Sequence, residues 1–414
     1  MTGVFPAPTR EGDRLFQLDV IRGIALLGVL LINIDLFSGA FWALQAKLPY
    51  PAGWGGNLLT YLRGALVEGK AVALLSILFG AGMMIQVDRA RLTGANHLAF
   101  TLRRLGALAL FGLAHSLLLW NGDILIDYAL LGLMVLPFLN VRPRRVLWAI
   151  PILLVVAVLL VLPFMGLIEK VEGNPGGLLQ MHREHYGNGS WLDALRFRAW
   201  EFLHVVGPLR IQGRLVMCSP FFILGVFFWK LGWLAEPGRH RRQLTKLAVA
   251  GLIIGLTANL LPADSVFAWA ARIPFRPLRV FLKLTYVFGK AMLALGYLGG
   301  LLLLLERTAW HKRTQALAAL GRLALTQYLM QSVVCSLVFC GFGLGLFERV
   351  PLNICIGGAV LFFMVQAWSS RLWLRRFSVG PCEWLWRRLI YGRPQPLQRR
   401  HPEHIDSPAF TPPQ

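Results

Sequence analysis

FQLDVIRGIALLGVLLINIDLF, the stretch from Phe16 to Phe37, decides the fold. Its apolar side chains run on with few interruptions, and as a helix it reaches about 33 Å, enough to cross the roughly 30 Å hydrocarbon core of a bilayer. Backbone amides in lipid must be satisfied within the segment, so the run forms a helix and not an open sheet. It is longer than the apolar region of a cleavable leader, and Asp19 and Arg22 interrupt its start. The run is therefore read as a retained span, although Ser38-Gly39-Ala40 has the small residues of a weak cleavage site.

Runs of the same kind recur along the chain. The spans expected are Phe16–Phe37, Ala65–Gln86, Leu102–Trp120, Ile124–Leu139, Val146–Ile168, Leu215–Leu234, Leu244–Leu261, Val280–Leu305, Leu317–Phe342 and Leu352–Trp373. Composition agrees: 56% of the 414 residues are hydrophobic, 15% are charged, and mean hydropathy is +0.58. A soluble domain carries roughly a quarter charged residues. The expected fold is all-α, a polytopic transmembrane bundle of about ten spanning helices whose partner is the lipid bilayer.

The formal charge of +22 invites comparison with a nucleic-acid binder. The distribution of the charge excludes that class. With the N-terminus placed inside, 27 Lys and Arg residues fall on the cytoplasmic side and 13 on the other. This is the positive-inside pattern of a multi-pass protein of the bacterial inner (plasma) membrane, with both termini in the cytoplasm. The integral domain is read as residues 1–376, with an extracytoplasmic segment at 169–213 that holds an amphipathic helix around Trp191–Phe202. Residues 377–414 follow as a cytoplasmic interfacial helix, rich in Trp384, Trp386, Arg387 and Arg388, and a disordered Pro-rich tail. Cys218, Cys335, Cys340, Cys355 and Cys382 lack CxxC spacing, so neither disulfides nor a metal site is expected.

Ionisable groups inside spans are costly and mark candidate sites. Asp19 and Arg22 stand three apart on one helix face, and Asn33 lies eleven residues on, roughly 20° around the axis. The three form one polar stripe, either functional or a structural ion pair with a packing Asn. Lys70 falls a few turns inside the second span, either snorkelling or contacting an anion. His115, a turn from the outer end of the third span, is a general base, a proton relay or a packing residue. Asp123 opens the fourth span as a natural N-cap and is also placed to orient His115 across the Asn121-Gly122-Asp123 hairpin, with Asp127 and Tyr128 one turn later. In the ninth span, Gly321-Arg322 leads into Thr326, Gln327, Gln331 and Ser332, which hydrogen-bond neighbouring helices or line a site. Asn33, Lys70, His115 and Asp123 fall in the outer half of the membrane, Asp19, Arg22 and Arg322 near the inner face. An outward polar cavity with a basic inner collar is expected, with His115, Asn33 and Asp123 as its catalytic residues. Arg22, Asp19, Lys70, Tyr128, Arg322 and Gln331 are its substrate contacts.

Several of these stretches carry a resemblance. Leu18-Asp19-Val20-Ile21-Arg22-Gly23 with Asn33, the run from His115 through Trp120-Asn121-Gly122-Asp123 to Tyr128, the ninth-span run, and Gly380-Pro381 with Glu383-Trp384-Leu385-Trp386-Arg387 resemble the YeiB-like family of bacterial inner-membrane proteins. The resemblance covers essentially the whole chain. The first motif is also similar to the wider membrane acyltransferase superfamily, which includes polysaccharide O-acyltransferases and heparan glucosaminide N-acetyltransferase. That likeness implies a cytoplasmic acyl-CoA donor and a glycan or small-molecule acceptor across the membrane. The O-acyltransferases carry a His where this chain has Asn33. The heparan branch has an Asn there and a catalytic His in the next loop, and here that loop, Ile34 to Asn57, holds none. His115 is then the membrane histidine placed to substitute, with Arg22 near the CoA phosphates and Asn33 on the acyl carbonyl. The competing reading is a transporter of a small metabolite or lipid-linked intermediate, in which Lys70, His115 and Lys290 bind an anion or relay protons.

Overall fold

The computed structural model describes residues 15–45, 48–51, 53–94, 96–161, 174–206, 215–261, 266, 268–269, 271–392 and 396–398. Every regular element among them is helical, apart from one isolated bridge between Phe377 and Gln398. The helices used below are α1 (Phe16–Ser38), α2 (Gly56–Leu66), α3 (Lys70–Leu92), α4 (His97–Leu118), α5 (Leu125–Val135), α6 (Ala149–Val161), α7 (Trp191–Glu201), α8 (Val216–Lys230), α9 (Arg241–Leu260), α10 (Arg276–Leu305), α11 (Gln315–Arg322), α12 (Ala324–Phe339), α13 (Leu352–Arg376) and α14 (Pro381–Tyr391).

Helix α1 is the axis of the bundle. Val20, Ile21 and Leu30 are fully buried, and the helix packs against α3, α11, α12 and α13. Its fit to α11 rests on Gly321, where a Cβ would fall onto the carbonyl of Asp19. At the periphery the surface turns apolar: Trp148, Ile253, Phe288, Leu361 and Trp368 are exposed, as expected of side chains that face lipid tails. Two ends result. The basic end gathers the start of α1, the end of α3, the start of α4 and the α11–α12 junction. The hairpin end carries the α4–α5 turn and the described part of the 174–206 segment.

Among the described residues, six helical segments are long and apolar enough to cross a membrane, and a seventh if the bent pair α11–α12 counts as one span. The expectation of about ten spans exceeds this count for a physical reason: α5 and α8 are apolar but, at 11 and 15 residues, cover only about 17 and 23 Å. Residues 162–168, in the expected fifth span, lie outside the described residues, as do residues 393–395 and 399–414 of the tail expected to be disordered after Tyr391.

Two spans differ in kind from the expectation. The second is broken: Gly69 has φ 77°, so α2 ends before a turn and Lys70 is the first residue of α3, not a residue a few turns inside a helix. The ninth is bent by 85° at Leu323. The break leaves the first amides of α12 unpaired within the helix. Glu383 of α14 supplies the missing acceptor: Oε1 takes the N–H groups of Leu325 (2.7 Å) and Thr326 (3.0 Å), and Oε2 takes the Thr326 hydroxyl (2.6 Å). Burial pushes the Glu383 carboxyl up, against these hydrogen bonds, which lower it. The segment expected to hold an interfacial helix forms α14, which is docked into the bundle through the half-buried Glu383 carboxylate.

Candidate functional site

The hairpin sets the site. Asn96 caps the start of α4 by accepting from the Ala99 N–H at 3.1 Å, and the helix runs to Leu118, bringing His115 to its last turn. The turn at Asn121-Gly122 returns the chain so that Asp123 faces His115. Both roles expected of Asp123 are filled at once, one by each carboxylate oxygen. Oδ2 accepts from the Ile126 N–H at 2.9 Å, capping α5, and Oδ1 lies 2.8 Å from His115 Nδ1. Gly112 makes this approach possible, since a Cβ there would lie 2.7 Å from the Ile126 nitrogen and 2.8 Å from Asp123 Oδ2.

The other face of the imidazole meets a residue from far along the chain. His115 Nε2 is 2.8 Å from Ser332 Oγ on α12. His115, Asp123 and Ser332 are 2%, 0% and 1% exposed. A carboxylate on Nδ1 accepts its proton, which leaves Nε2 as the acceptor for a hydroxyl. This is the order of groups that activates a hydroxyl as a nucleophile.

The trio lies between two cavities and lines neither. At the basic end is a cavity of about 300 Å³ whose walls include Arg22, Arg104, Arg322, Arg387, Tyr128 and Tyr328. At the hairpin end is one of about 210 Å³ lined by Trp42, Trp120, His182, Glu201 and Ser336 among others. The His115 ring stands 5.1 Å from Tyr328 of the first and 6.4 Å, edge-on, from Trp120 of the second. Ser332 itself is one turn from Ser336.

The hairpin-end cavity is roofed by the 174–206 segment. Ser190 and Asp193 form a reciprocal cap at the start of α7, the helix expected around Trp191–Phe202. Its last residue, Glu201, is fully buried and accepts from Tyr186 (2.7 Å), Asn121 (2.8 Å) and His182 (3.0 Å). Burial alone would raise its pKa; His182, Asn121 and Tyr186 together hold it below the ordinary carboxylate value. The network ties the segment to the hairpin that positions His115.

Other expected residues fall into separate places. Arg22 Nη1 lies 2.7 Å from Asp19 Oδ1, so the pair exists, and Arg22 faces the basic-end cavity with Arg322 and Tyr128. The Tyr128 hydroxyl is held at 3.0 Å from Ser76 Oγ and donates to the Val72 carbonyl at 3.1 Å. Gln331 points the other way: its Nε2 donates to Gln366 of α13 at 3.0 Å, within a chain of amides that also takes in Gln327 and Ser370. Lys70 Nζ donates to the Gly64 carbonyl at 3.2 Å and lines neither cavity. Asn33 is half-buried, makes no hydrogen bond among the described residues and lines neither cavity. The expected meeting of Asn33 with His115 and Asp123 is therefore replaced by that of Ser332 with the pair.

Three contributors escaped the sequence reading. Ser332 was legible only as a polar residue in a polar span. Asp35 pairs with Arg63 through both carboxylate oxygens, and Arg63 also donates to the Leu31 carbonyl at 2.7 Å. The signal was an aspartate two residues past Asn33 in the opening run. Arg104, in the sequence one more arginine at the start of the third span, lies buried in the bundle, with its guanidinium 5.0 Å from the Phe79 ring and 5.3 Å from the Trp386 ring.

Comparison with known proteins places this architecture. A family profile described as "Protein of unknown function (DUF418)" matches residues 228–393. The chain is 31% identical to the uncharacterized protein YxaH of Bacillus subtilis (strain 168), over 95% of this chain and 98% of that one. It is 29% identical to the uncharacterized protein YeiB of Escherichia coli (strain K12), over 91% of this chain and 96% of its relative. An uncharacterized 39.9 kDa protein in the amylase 3′ region of Bacillus acidopullulyticus is 28% identical over 94% and 97%. No solved structure matches the chain.

Proposed function

The chain belongs to the YeiB-like family, with YxaH and YeiB as relatives along nearly its whole length, and for this member we propose an acyl transfer carried out inside the membrane at Ser332, His115 and Asp123. The observation that carries the reading is the position of His115, held at 2.8 Å by Asp123 and at 2.8 Å by Ser332 between two cavities at opposite ends of the bundle. The basic end faces the cytoplasm of a bacterial cell, following the excess of Lys and Arg, and both termini lie on that side. An acyl-CoA donor enters there, near Arg22 and Arg322. A hydroxyl-bearing acceptor, a glycan or a smaller molecule, enters from the hairpin end.

The chemistry balances with these groups alone. His115 Nε2 takes the Ser332 hydroxyl proton as Oγ attacks the thioester carbonyl. The carbon–sulfur bond breaks, and the proton passes from Nε2 to the departing thiolate. An acyl-serine is left. The acceptor hydroxyl then gives its proton to Nε2 and attacks the acyl carbon, and the bond to Oγ breaks. Nε2 returns the proton to Oγ, restoring the enzyme. Asp123 stays ionised throughout and stabilises the imidazolium. Tyr328 and Trp120 stand between His115 and the cavities and act as its gates.

A second reading has one observation in its favour. The 85° break at Leu323 is the kind of discontinuous helix around which transporters build a substrate site. One experiment separates the two. Purified protein in nanodiscs is incubated with acetyl-CoA labelled in the acetyl group, and label on the protein or released as acetate is measured. Acyl transfer requires label that is absent from Ser332→Ala and His115→Ala at matched protein amounts. Undiminished acetyl-CoA, with uptake of a solute into proteoliposomes, selects the transporter.

A further inference from the structure

The basic-end cavity holds an arrangement that the transfer chemistry does not use. Arg104 rises from the second turn of α4 and is 9% exposed. Phe79 and Trp386 hold its guanidinium from the sides, at 5.0 and 5.3 Å. Among the described residues its Nε and Nη1 have no hydrogen-bond partner, and on the same cavity wall neither has the Trp386 indole N–H. A buried guanidinium with two unmet donors is expensive, because the protein gives up its hydration without a replacement. Such an arrangement is maintained where a ligand supplies the acceptors.

The charges around it define the ligand. Arg22, Arg104, Arg322 and Arg387 all line the cavity, with Glu383 on the same wall and Asp19 on Arg22. Among the described residues the wall is predominantly cationic. That matches a phosphate, which carries about 1.5 to 2 negative charges near neutral pH and offers three acceptor oxygens. Guanidinium N–H groups bind phosphate oxygens strongly, and Arg104 offers two that are unmet, Nε and Nη1, on different edges of the group. Deeper in, the cavity is lined by Leu78, Leu108, Ile124 and Leu125. The ligand therefore has a phosphate head and an apolar or extended body directed toward Tyr328 and His115.

We propose that this cavity is a binding site for a phosphate-bearing ligand, with Arg104 as its anchor and α14 as one of its walls. The inference deepens the acyl-transfer reading and rests on it only in identifying this end as the donor's. Helix α14 brings Trp386 and Arg387 to the site and is itself pinned by Glu383 at the start of α12, so a ligand that engages Arg387 also fixes α14 against the bundle. The phosphate has two possible sources, a water-soluble phosphate ester or the head group of an anionic lipid.

The test uses the full chain in nanodiscs of zwitterionic lipid. In the soluble arm, binding of pyrophosphate is measured by calorimetry. In the lipid arm, retention of phosphatidic acid is measured by native mass spectrometry. Saturable, salt-sensitive binding in either arm supports the site and identifies the source. Arg104→Gln should weaken that binding by about ten-fold or more, the loss of a charge-assisted pair. Arg387→Gln should weaken it as well, which keeps the test decisive where Arg104→Gln fails to accumulate. Arg375→Gln, an exposed charge at the end of α13, should leave it unchanged. Absence of binding in both arms, or equal loss in Arg375→Gln, overturns the proposal. His115→Ala separates the two readings: it should bind normally while failing to transfer, so lost transfer with intact binding concerns the chemistry alone.

Discussion

Asp123→Asn is the substitution whose outcome the geometry fixes most tightly. The Ile126 N–H, 2.9 Å from Oδ2, lies in the first turn of α5 and has no intrahelical acceptor, so the asparagine carbonyl takes that place. Its NH₂ then occupies the position of Oδ1, 2.8 Å from His115 Nδ1, and donates to it. Nδ1 becomes the acceptor and the imidazole proton moves to Nε2, which must now donate to Ser332 at 2.8 Å. These three hydrogen bonds survive, yet the base has lost its lone pair. Losing one charge-assisted bond for a neutral one costs about 1 kcal/mol of stability. The same change in a serine-protease triad lowers kcat about 10⁴-fold, which corresponds to about 5.5 kcal/mol of barrier. Asp123→Asn should therefore accumulate and unfold within a few degrees of wild type while labelling of Ser332 by acetyl-CoA slows by three to four orders of magnitude. Wild-type labelling by this variant would refute the role of His115 as a base through Nε2, whatever its effect on stability.

Other outcomes follow from the same coordinates. Gly112→Ala places a Cβ 2.8 Å from Asp123 Oδ2, so the hairpin must shift; thermal unfolding in detergent should report a loss of about 1–3 kcal/mol, with activity reduced further. Gln331→Leu strands the Gln366 carbonyl at a cost of about 1–3 kcal/mol, and activity per folded molecule should be unchanged, which would remove Gln331 from the substrate contacts. Arg63→Leu leaves Asp35 buried and unpaired and should cost about 3–5 kcal/mol, recovered in part by the Asp35→Asn double variant. Asp19→Asn should cost less by the same unfolding measurement, because the group it strands, Arg22, keeps 31% of its side chain exposed whereas Asp35 keeps 15%. Glu201 is held below the ordinary carboxylate pKa, so its contribution is complete above about pH 4.3 and disappears as the pH falls through its lower folded value. Unfolding temperatures between pH 6 and pH 3 should therefore fall more steeply for wild type than for Glu201→Gln.

The candidate site was partly legible because a few of its relations are local. His115 and Asp123 are eight residues apart across a tight turn, and Asp19 and Arg22 are one helical turn apart, so spacing alone brings each pair together. Ser332 is separated from His115 by 217 residues, and no periodicity links α4 to α12. Asn33 failed for the same reason in reverse. Its helix face reads as polar in the sequence, but the neighbour that a face meets depends on how α1 packs, and α12 brings Ser332 to the imidazole instead. Glu383 was visible within a motif whose tryptophans and arginines suggested a membrane interface; its function as a helix cap required the break at Leu323.

What the sequence determined by itself is the class of the molecule: long apolar runs impose helices, because lipid offers the backbone no other hydrogen-bond partners, and the placement of Lys and Arg makes one end of the bundle basic. What only the tertiary structure decided is which buried polar groups satisfy one another. Each such group must find a partner in a medium without water, and several helices offered candidates of similar chemistry. The choice between Asn33 and Ser332, and the burial of Arg104 beside Trp386, were settled by close packing at glycines such as Gly112 and Gly321, where the absence of a single Cβ sets how near two helices come.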